Sequence, residues 1–475
     1  MSYKITNISI LFFFICIIYL IHCENIKVIK YKFHTKHNSK EFEDPITYLI
    51  MNDIYITLQL GTPLQQINAT LKFIDYPFFI SNPQSISVIN IDSSSFYNND
   101  TSLSFIFIKK DSIFYNSQLL QGDFSNETFY FTSDYSDIIK VNNFSFYYAN
   151  KMTYNQTGVI GLCLEDSNLN LHSNMNFFTQ LKKANIISYK TFFTNFQNKD
   201  EGEFIIGGYP HEINKNIYSY DNFHDIKGYV DTVFVKYSFL FDEISFGNKK
   251  IILSSYNSKI MTANLMIEFG FILAPSDLEK NITEIFIDMN KCKTNITNNK
   301  EIYGNELYQG VNYKYFICQK NYENKNITLN FLSREMEYEF KLDENDLFMT
   351  YGDKKYFNIL FTNGTTYKEW IFGKPIFSKY QWVFNQDNKR FGFYDNNRTK
   401  NDKSNDDNNY VLIVVLIIVF FMFVGMLAVF IYFIYIKSKR KGRVNEINDD
   451  YDYTAKDDKL GINDNNIDEK LVKDK

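Results

Sequence analysis

Trp370-Ile371-Phe372-Gly373-Lys374-Pro375-Ile376-Phe377, followed by Tyr380, Val383-Phe384 and Arg390-Phe391-Gly392-Phe393, is the stretch that decides the fold. It is an apolar-apolar-Gly run, and a second such run stands upstream at Val159-Ile160-Gly161. Taken alone, each glycine reads as an ordinary strand-end turn. Around them, short apolar and aromatic runs alternate with Asn, Asp, Gly and Ser clusters, at 55–60, 104–108, 203–206, 327–332 and 381–384. That spacing predicts a sandwich- or barrel-like β body. The chain holds 36 Tyr, 47 Phe and 2 Trp, types that favour pleated, half-buried surfaces. Pro is scarce at 7, so turns rely on Asn, Asp and Gly. Helical signals are few. One covers 176–186, with a start as early as Ser173. The other covers 276–287, where Pro275-Ser276 followed by Asp277 and Glu279 makes a helix N-terminus.

Length and charge narrow the classes. A chain of 475 residues is neither wholly disordered nor collagen-like at 45% hydrophobic and 22% charged. A net charge of −5 gives no electrostatic footprint for nucleic acid. Five Cys rule out a disulfide-dense scaffold.

Both ends predict entry into the secretory pathway. Lys4 precedes an apolar run at 8–21, and Cys23 is small enough for cleavage, so residues 1–23 read as a signal peptide. Residues 411–436 carry no charge over 26 positions. As a helix they would reach about 39 Å, enough to cross a hydrocarbon core of about 30 Å with tilt. Lys437, Lys439, Arg440, Lys441 and Arg443 follow, while Asn405, Asp406 and Asp407 lie just before. The positive-inside rule then predicts a cytosolic tail at 437–475, polar and disordered. The N-terminal bulk becomes lumenal or extracellular on a secretory-pathway, plasma or vacuolar membrane, joined by a stalk at 396–410. Glycosylation sequons at Asn68, Asn99, Asn126, Asn143, Asn155, Asn281, Asn295, Asn326, Asn363 and Asn397 all fall between the two apolar runs.

Four blocks in order resemble the pepsin-like aspartic peptidase family. The strand 55–60 with Gly61-Thr62-Pro63-Leu64-Gln65 is similar to that family's strand and Gly-Thr-Pro-x-Gln turn. Thr157-Gly158-Val159-Ile160-Gly161-Leu162 resembles Asp-Gly-Ile-Leu-Gly-Leu, and Glu203-Phe204-Ile205-Ile206-Gly207-Gly208 resembles its Gly-Gly strand end. The block from Trp370 resembles Trp-Ile-Leu-Gly-Asp-x-Phe-Leu with its Tyr, Val-Phe-Asp and Val-Gly-Phe. The resemblance spans about residues 50–395. It implies a mostly β, bilobal fold of two duplicated lobes around a central cleft, with one C-terminal transmembrane helix added here. The divisions expected are a prosegment-like arm at 24–50, an N-terminal lobe at 51–215 and a C-terminal lobe at 216–395. Gly161 and Gly373 would each let main chain approach main chain closely, one per lobe.

The family's chemistry needs two carboxylates that share one proton and act on a bound water. Each comes in Asp-Thr-Gly or Asp-Ser-Gly. Counting without gaps from Gly61 lands the first Asp position on Lys72, followed by Phe73 and Ile74. Phe78-Phe79-Ile80 then takes the place of a Leu-Trp-Val strand. In the second lobe, Met266-Ile267-Glu268-Phe269-Gly270 takes the place of Ile-Ile-Asp-Thr-Gly. Gly270 alone survives of the six triplet residues. A rival register uses Asp75 as the first acid, although Tyr76-Pro77 follow it.

The resulting expectation is a degraded dyad of Lys72 and Glu268 in a non-catalytic homologue that binds a peptide or protein. The alternatives are an active acid endopeptidase using Asp75 and Glu268, and a surface adhesion or coat protein. A cleft plugged by Phe73 and Phe269 would favour the last. Tyr115, seven residues before Gly122, is the expected flap tyrosine. Cys292 and Cys318 can pair in an oxidising lumen, where the family has a second-lobe disulfide, and Cys163 reads as a buried thiol. Lys27, Lys30, Lys32 and Lys36 make 24–49 similar to a family prosegment. The six His show no metal-ligand spacing, and there is no Ser-His-Asp set or phosphate loop, so neither metal nor cofactor is expected.

Overall fold

Alternating burial builds the first of the repeated elements. In the strand Ile54–Leu60, Ile54, Ile56, Leu58 and Leu60 are buried while Thr57 is exposed. This strand pairs antiparallel with Gln65–Lys72 through a turn at Gly61, whose φ of 87° suits a residue without a Cβ. The computed structural model describes residues 26–35, 54–73, 78–82, 96–115, 118–132, 137–151, 157–163, 176–198, 200–227, 237–246, 249–250, 261–297, 312–323, 328–363, 369–395, 422 and 425–437. They belong to two units, 1–400 and 401–475.

The first unit is mostly β. One 13-stranded sheet runs from Phe223–Lys227 through Arg390–Tyr394, Gln381–Asn385, Thr191–Phe196, Glu201–Ile206 and Ile29–Thr35 to Ile54–Leu60. It continues through Gln65–Lys72, Gly158–Gly161, Phe78–Ser81, Ile138–Lys151 and Gln118–Thr132 to Ile106–Tyr115. A 9-stranded and a 4-stranded sheet hold the rest of the C-terminal half. The helices are short. Asn176 caps Phe177–Lys183 by accepting from Thr179 N at 2.9 Å, and a 3-10 turn at Ser276–Leu278 leads into Glu279–Phe286.

The duplication is visible in the ladders. In the N-terminal half, Gly158–Gly161 runs parallel to Gln65–Lys72 and antiparallel to Phe78–Ser81, which is itself parallel to Ile138–Lys151. In the C-terminal half, Trp370–Phe372 runs parallel to Met261–Leu265 and antiparallel to Ile272–Ala274, which is parallel to Ile359–Asn363. The same threading occurs twice with the same hand of pairing.

Phenylalanine fills the space between sheets. Phe78 meets Phe129, Phe144 and Phe177 edge-on, and Phe331 meets Trp370 and Phe372 in the same way. Edge-to-face pairs satisfy the ring quadrupoles while burying large apolar areas. Cys292 and Cys318 are bonded, lie directly opposite in an antiparallel pair and are buried. Closing a 26-residue separation contributes about 3 kcal/mol by restricting the unfolded chain.

The segment resembling a prosegment contributes a central strand. Ile29–Thr35 pairs with Glu201–Ile206 on one side and Ile54–Leu60 on the other, with Ile29 and Phe33 buried. Lys30 is half-buried, Lys32 is exposed, and Lys27 donates from Nζ to Asn185 O at 3.3 Å. Lys36 lies outside the described residues.

In the second unit, residues 425–437 are helical and the apolar side chains from Met426 to Tyr435 are mostly exposed, Phe430 and Tyr432 among them, while Ile436 is half-buried. Among the described residues no helix is long and apolar enough to cross a membrane. Most of 411–424, the 1–23 segment, the stalk and the tail beyond 437 lie outside the described residues.

Gly373 is the tightest junction of the repeat. A Cβ there would lie 2.1 Å from Phe269 O and 2.2 Å from Phe271 O, both main-chain atoms that cannot swing aside. Gly373→Ala is expected to lower the unfolding free energy by about 3 kcal/mol. Urea unfolding followed by the fluorescence of the two fully buried tryptophans, Trp370 and Trp382, checks this.

Candidate functional site

Two strand ends and the turns after them build the floor of the site. Lys72 closes the strand Gln65–Lys72 level with Gly161, and its carbonyl accepts from Leu162 N at 2.8 Å. In the other half, Met266 N donates to Phe372 O at 3.0 Å and Phe269 N to Met266 O at 3.1 Å. These bonds fold 266–269 into a turn with Glu268 on it. Lys374 N donates to Phe269 O at 2.7 Å, which fixes that turn over Gly373.

The halves meet at Glu268. Its Oε1 accepts from the main-chain N of Phe73 at 3.1 Å. Lys72 and Glu268 are both buried, at 6% and 5% exposure. The two expected dyad positions therefore come to neighbouring places, and a peptide N–H donates to the Glu268 carboxylate.

The bulky residues beside the floor turn into the cores. The Phe73 ring lies 4.9 Å from Phe384, 5.6 Å from Phe377, 5.7 Å from Tyr237 and 6.0 Å from Phe192, all edge-on. Phe192 belongs to the N-terminal half and the other three to the C-terminal half, so this ring crosses the junction. Phe269 packs in a separate cluster with Met266, Phe271, Leu273 and Tyr313. Both rings are core side chains. Burial pushes the Tyr237 phenol well up.

The ladders number the first half differently from the sequence count. Ile160 and Phe372 occupy the same place before their glycines. Leu71 and Phe78 are both level with Ile160, and Leu265 and Ile272 are both level with Phe372. Each pair is the same seven residues apart, so Lys72 matches Met266 and Phe73 matches Ile267. Residues 74–77, Asp75 included, lie outside the described residues.

Other contacts across the junction are polar. Gln386 donates from Nε2 to Leu162 O and Cys163 O, both at 3.1 Å. Lys374 pairs with Asp200 at 3.5 Å, and Lys182 pairs with Asp387 at 2.8 Å. Cys163 is buried and outside the disulfide. Sequence reading passed over Gln386 and the Lys374–Asp200 pair. The signal for the second was Lys374 itself, which stands where the family block has Asp.

The remaining expected residues are dispersed. Tyr115 ends the strand Ile106–Tyr115, opposite Gln118 in a hairpin, and its side chain lies outside the described residues. Gly270 is half-buried in the Glu268 turn. Asn143, Asn281, Asn295 and Asn363 are exposed, and Asn68, Asn99 and Asn126 are half-buried. Asn155, Asn326 and Asn397 lie outside the described residues. Among the described residues no group of three His, Cys, Asp or Glu could hold a metal.

The repeated threading and its two glycines are matched by a family model described as eukaryotic aspartyl protease, over residues 54–395. The chain belongs to the eukaryotic aspartyl protease family. Two solved structures share the fold of this family member. Basic 7S globulin from soybean superposes with a TM-score of 0.54 at 12% identity, covering 80% of this chain and 100% of its own. Conglutin gamma, a basic 7S globulin from lupine seeds, gives 0.54 at 10% identity, covering 78% and 95%. At these identities the likeness concerns the fold alone. No curated protein matches the sequence.

Phe73 carries the site's packing. Phe73→Ala removes four aromatic contacts from a closed core and is expected to lower stability by about 3–5 kcal/mol. Chemical unfolding of the full-length chain measures it; a loss under about 1 kcal/mol would mean the ring is not packed as described.

Proposed function

We propose that this eukaryotic aspartyl protease family member does not cleave peptide bonds and acts by binding a peptide or protein. The carrying observation is the bond from Phe73 N to Glu268 Oε1. Proteolysis by two acids needs a second carboxylate beside the first, with one proton shared between them. The sequence count puts Lys72 in that place, and neither it nor Phe73 and Ile74, which follow in the sequence, is an acid. A lysine ammonium cannot take a proton from water.

A second reading keeps Asp75 with Glu268 as an active acid endopeptidase. Asp75 stands two residues beyond Phe73, whose amide touches Glu268, so it is the acid in the sequence nearest to that contact. Purified full-length chain incubated with a peptide library between about pH 3 and pH 6 separates the two readings. The expected result is no cleavage above that of Glu268→Gln. Cleavage in the unaltered chain that vanishes in Glu268→Gln would overturn the non-catalytic reading.

The same proposal includes a single membrane anchor at 411–436, a lumenal or extracellular N-terminal body and a cytosolic tail on a secretory-pathway, plasma or vacuolar membrane. Support comes from the uncharged 26-residue run, the basic residues after it, and the exposed sequons Asn143, Asn281, Asn295 and Asn363. In sealed vesicles, glycosidase treatment after permeabilisation should shift the gel mobility. Protease added outside should remove only the tail epitope. A protected tail would reverse the topology.

A further inference from the structure

The segment joining the two halves carries a histidine in an aromatic enclosure. It leaves the strand Glu201–Ile206, forms the short helix Pro210–Ile213 and returns into Phe223–Lys227. Tyr209, Ile213, Tyr218 and Phe223 pack onto Phe193, Ile205, Val383 and Tyr394 of the 13-stranded sheet. His211 stacks on Tyr209 at 5.4 Å and meets Tyr220 edge-on at 5.2 Å, with Tyr394 at 5.9 Å and Phe223 at 6.2 Å. Its Nδ1 is hydrogen-bonded to the hydroxyl of Tyr394, a residue only 1% exposed. Two more bonds fasten the segment to the sheet. Asn385 Nδ2 donates to Tyr209 OH at 2.7 Å, and Tyr218 OH donates to Gln381 Oε1 at 3.3 Å.

We propose that His211 is an acid-sensitive latch whose protonation loosens the 209–218 connector from the sheet that joins the two halves. A neutral imidazole offers a ring nitrogen as acceptor, whereas an imidazolium has two N–H donors and no acceptor. In the tautomer with its proton on Nε2, Nδ1 accepts from the buried Tyr394 hydroxyl and protonation takes that acceptor away; in either tautomer the new charge is created among aromatic rings. The charged groups around the ring do not compensate. Glu212 favours the charged form, but its carboxylate already accepts from Tyr209 N at 2.8 Å. Lys215 opposes it. From the sheet and the return turn the ring meets Tyr394, Phe223 and Tyr220. Burial is the leading cause holding the His211 pKa below its ordinary value. A group lowered in the folded state contributes stability that is full above the unfolded pKa and is lost as pH falls through the folded one. The latch is thus closed at neutral pH and weakens in the acid range of late secretory and degradative compartments.

Hydrogen exchange of the full chain at about pH 7.5 and about pH 5, corrected for intrinsic rates, tests this. The expected result is a several-fold loss of protection confined to 209–218 in the unaltered chain at acid pH. In His211→Gln and His211→Phe, which cannot titrate, the segment should behave alike at both values. An equal acid response in either variant would overturn the latch. So would a loss of protection spread evenly over the chain, or none at all.

Discussion

One main-chain hydrogen bond, from Phe73 N to Glu268, sets the terms for the middle of the molecule. A buried peptide donor must find an acceptor, because leaving it unpaired costs about 1–3 kcal/mol. Here the acceptor comes from the other half of the chain. The Phe73 amide is spent on Glu268 and its ring joins Phe192, Tyr237, Phe377 and Phe384. A single residue thereby closes the junction by polar and apolar means together. Phe73, at the end of a strand of one half, is thus part of a core that both halves share.

Polar ties around this point extend the junction. Gln386 reaches the carbonyls of Leu162 and Cys163, and Asp387 is held by Lys182. Lys374 follows the glycine at the tightest approach of the repeat and pairs with Asp200, whose carbonyl also accepts from Thr35 N at 2.8 Å. The positive group next to Gly373 thus serves cohesion between the halves. Binding of a partner would act on a body whose two halves are fastened at several points around Glu268.

Much of this was legible in the residues. Alternation and turn chemistry located the strands at 55–60, 203–206 and 381–384 to within a few residues of Ile54–Leu60, Glu201–Ile206 and Gln381–Asn385. The helix at 176–186 appears as Phe177–Lys183, and the pairing of Cys292 with Cys318 was readable from the family pattern. The glycine at 373 could be read because only a missing Cβ satisfies that approach. The direction of Phe73 and Phe269 could not, since a sequence does not say toward which side of a strand end a ring turns. Counting from Gly61 assumes equal spacing to a family pattern, whereas the ladders compare the two halves of this chain with each other. The enclosure of His211 was out of reach because its rings come from 209, 220, 223 and 394 and converge only in the folded sheet.

The strand Ile29–Thr35 lies inside the large sheet, and the strands Gln381–Asn385 and Arg390–Tyr394 lie in the same sheet. The first and last strands of the body therefore lie in one sheet, although more than 340 residues separate them, and Thr191–Phe196 pairs directly with Gln381–Asn385. Contacts this distant are slow to form, since the closure entropy of the intervening chain must be met first. During synthesis the sheet stays incomplete until residue 394 has left the ribosome. Until then the edge of Thr191–Phe196 that pairs with Gln381–Asn385 is open, and an open strand edge is a site for pairing with other chains.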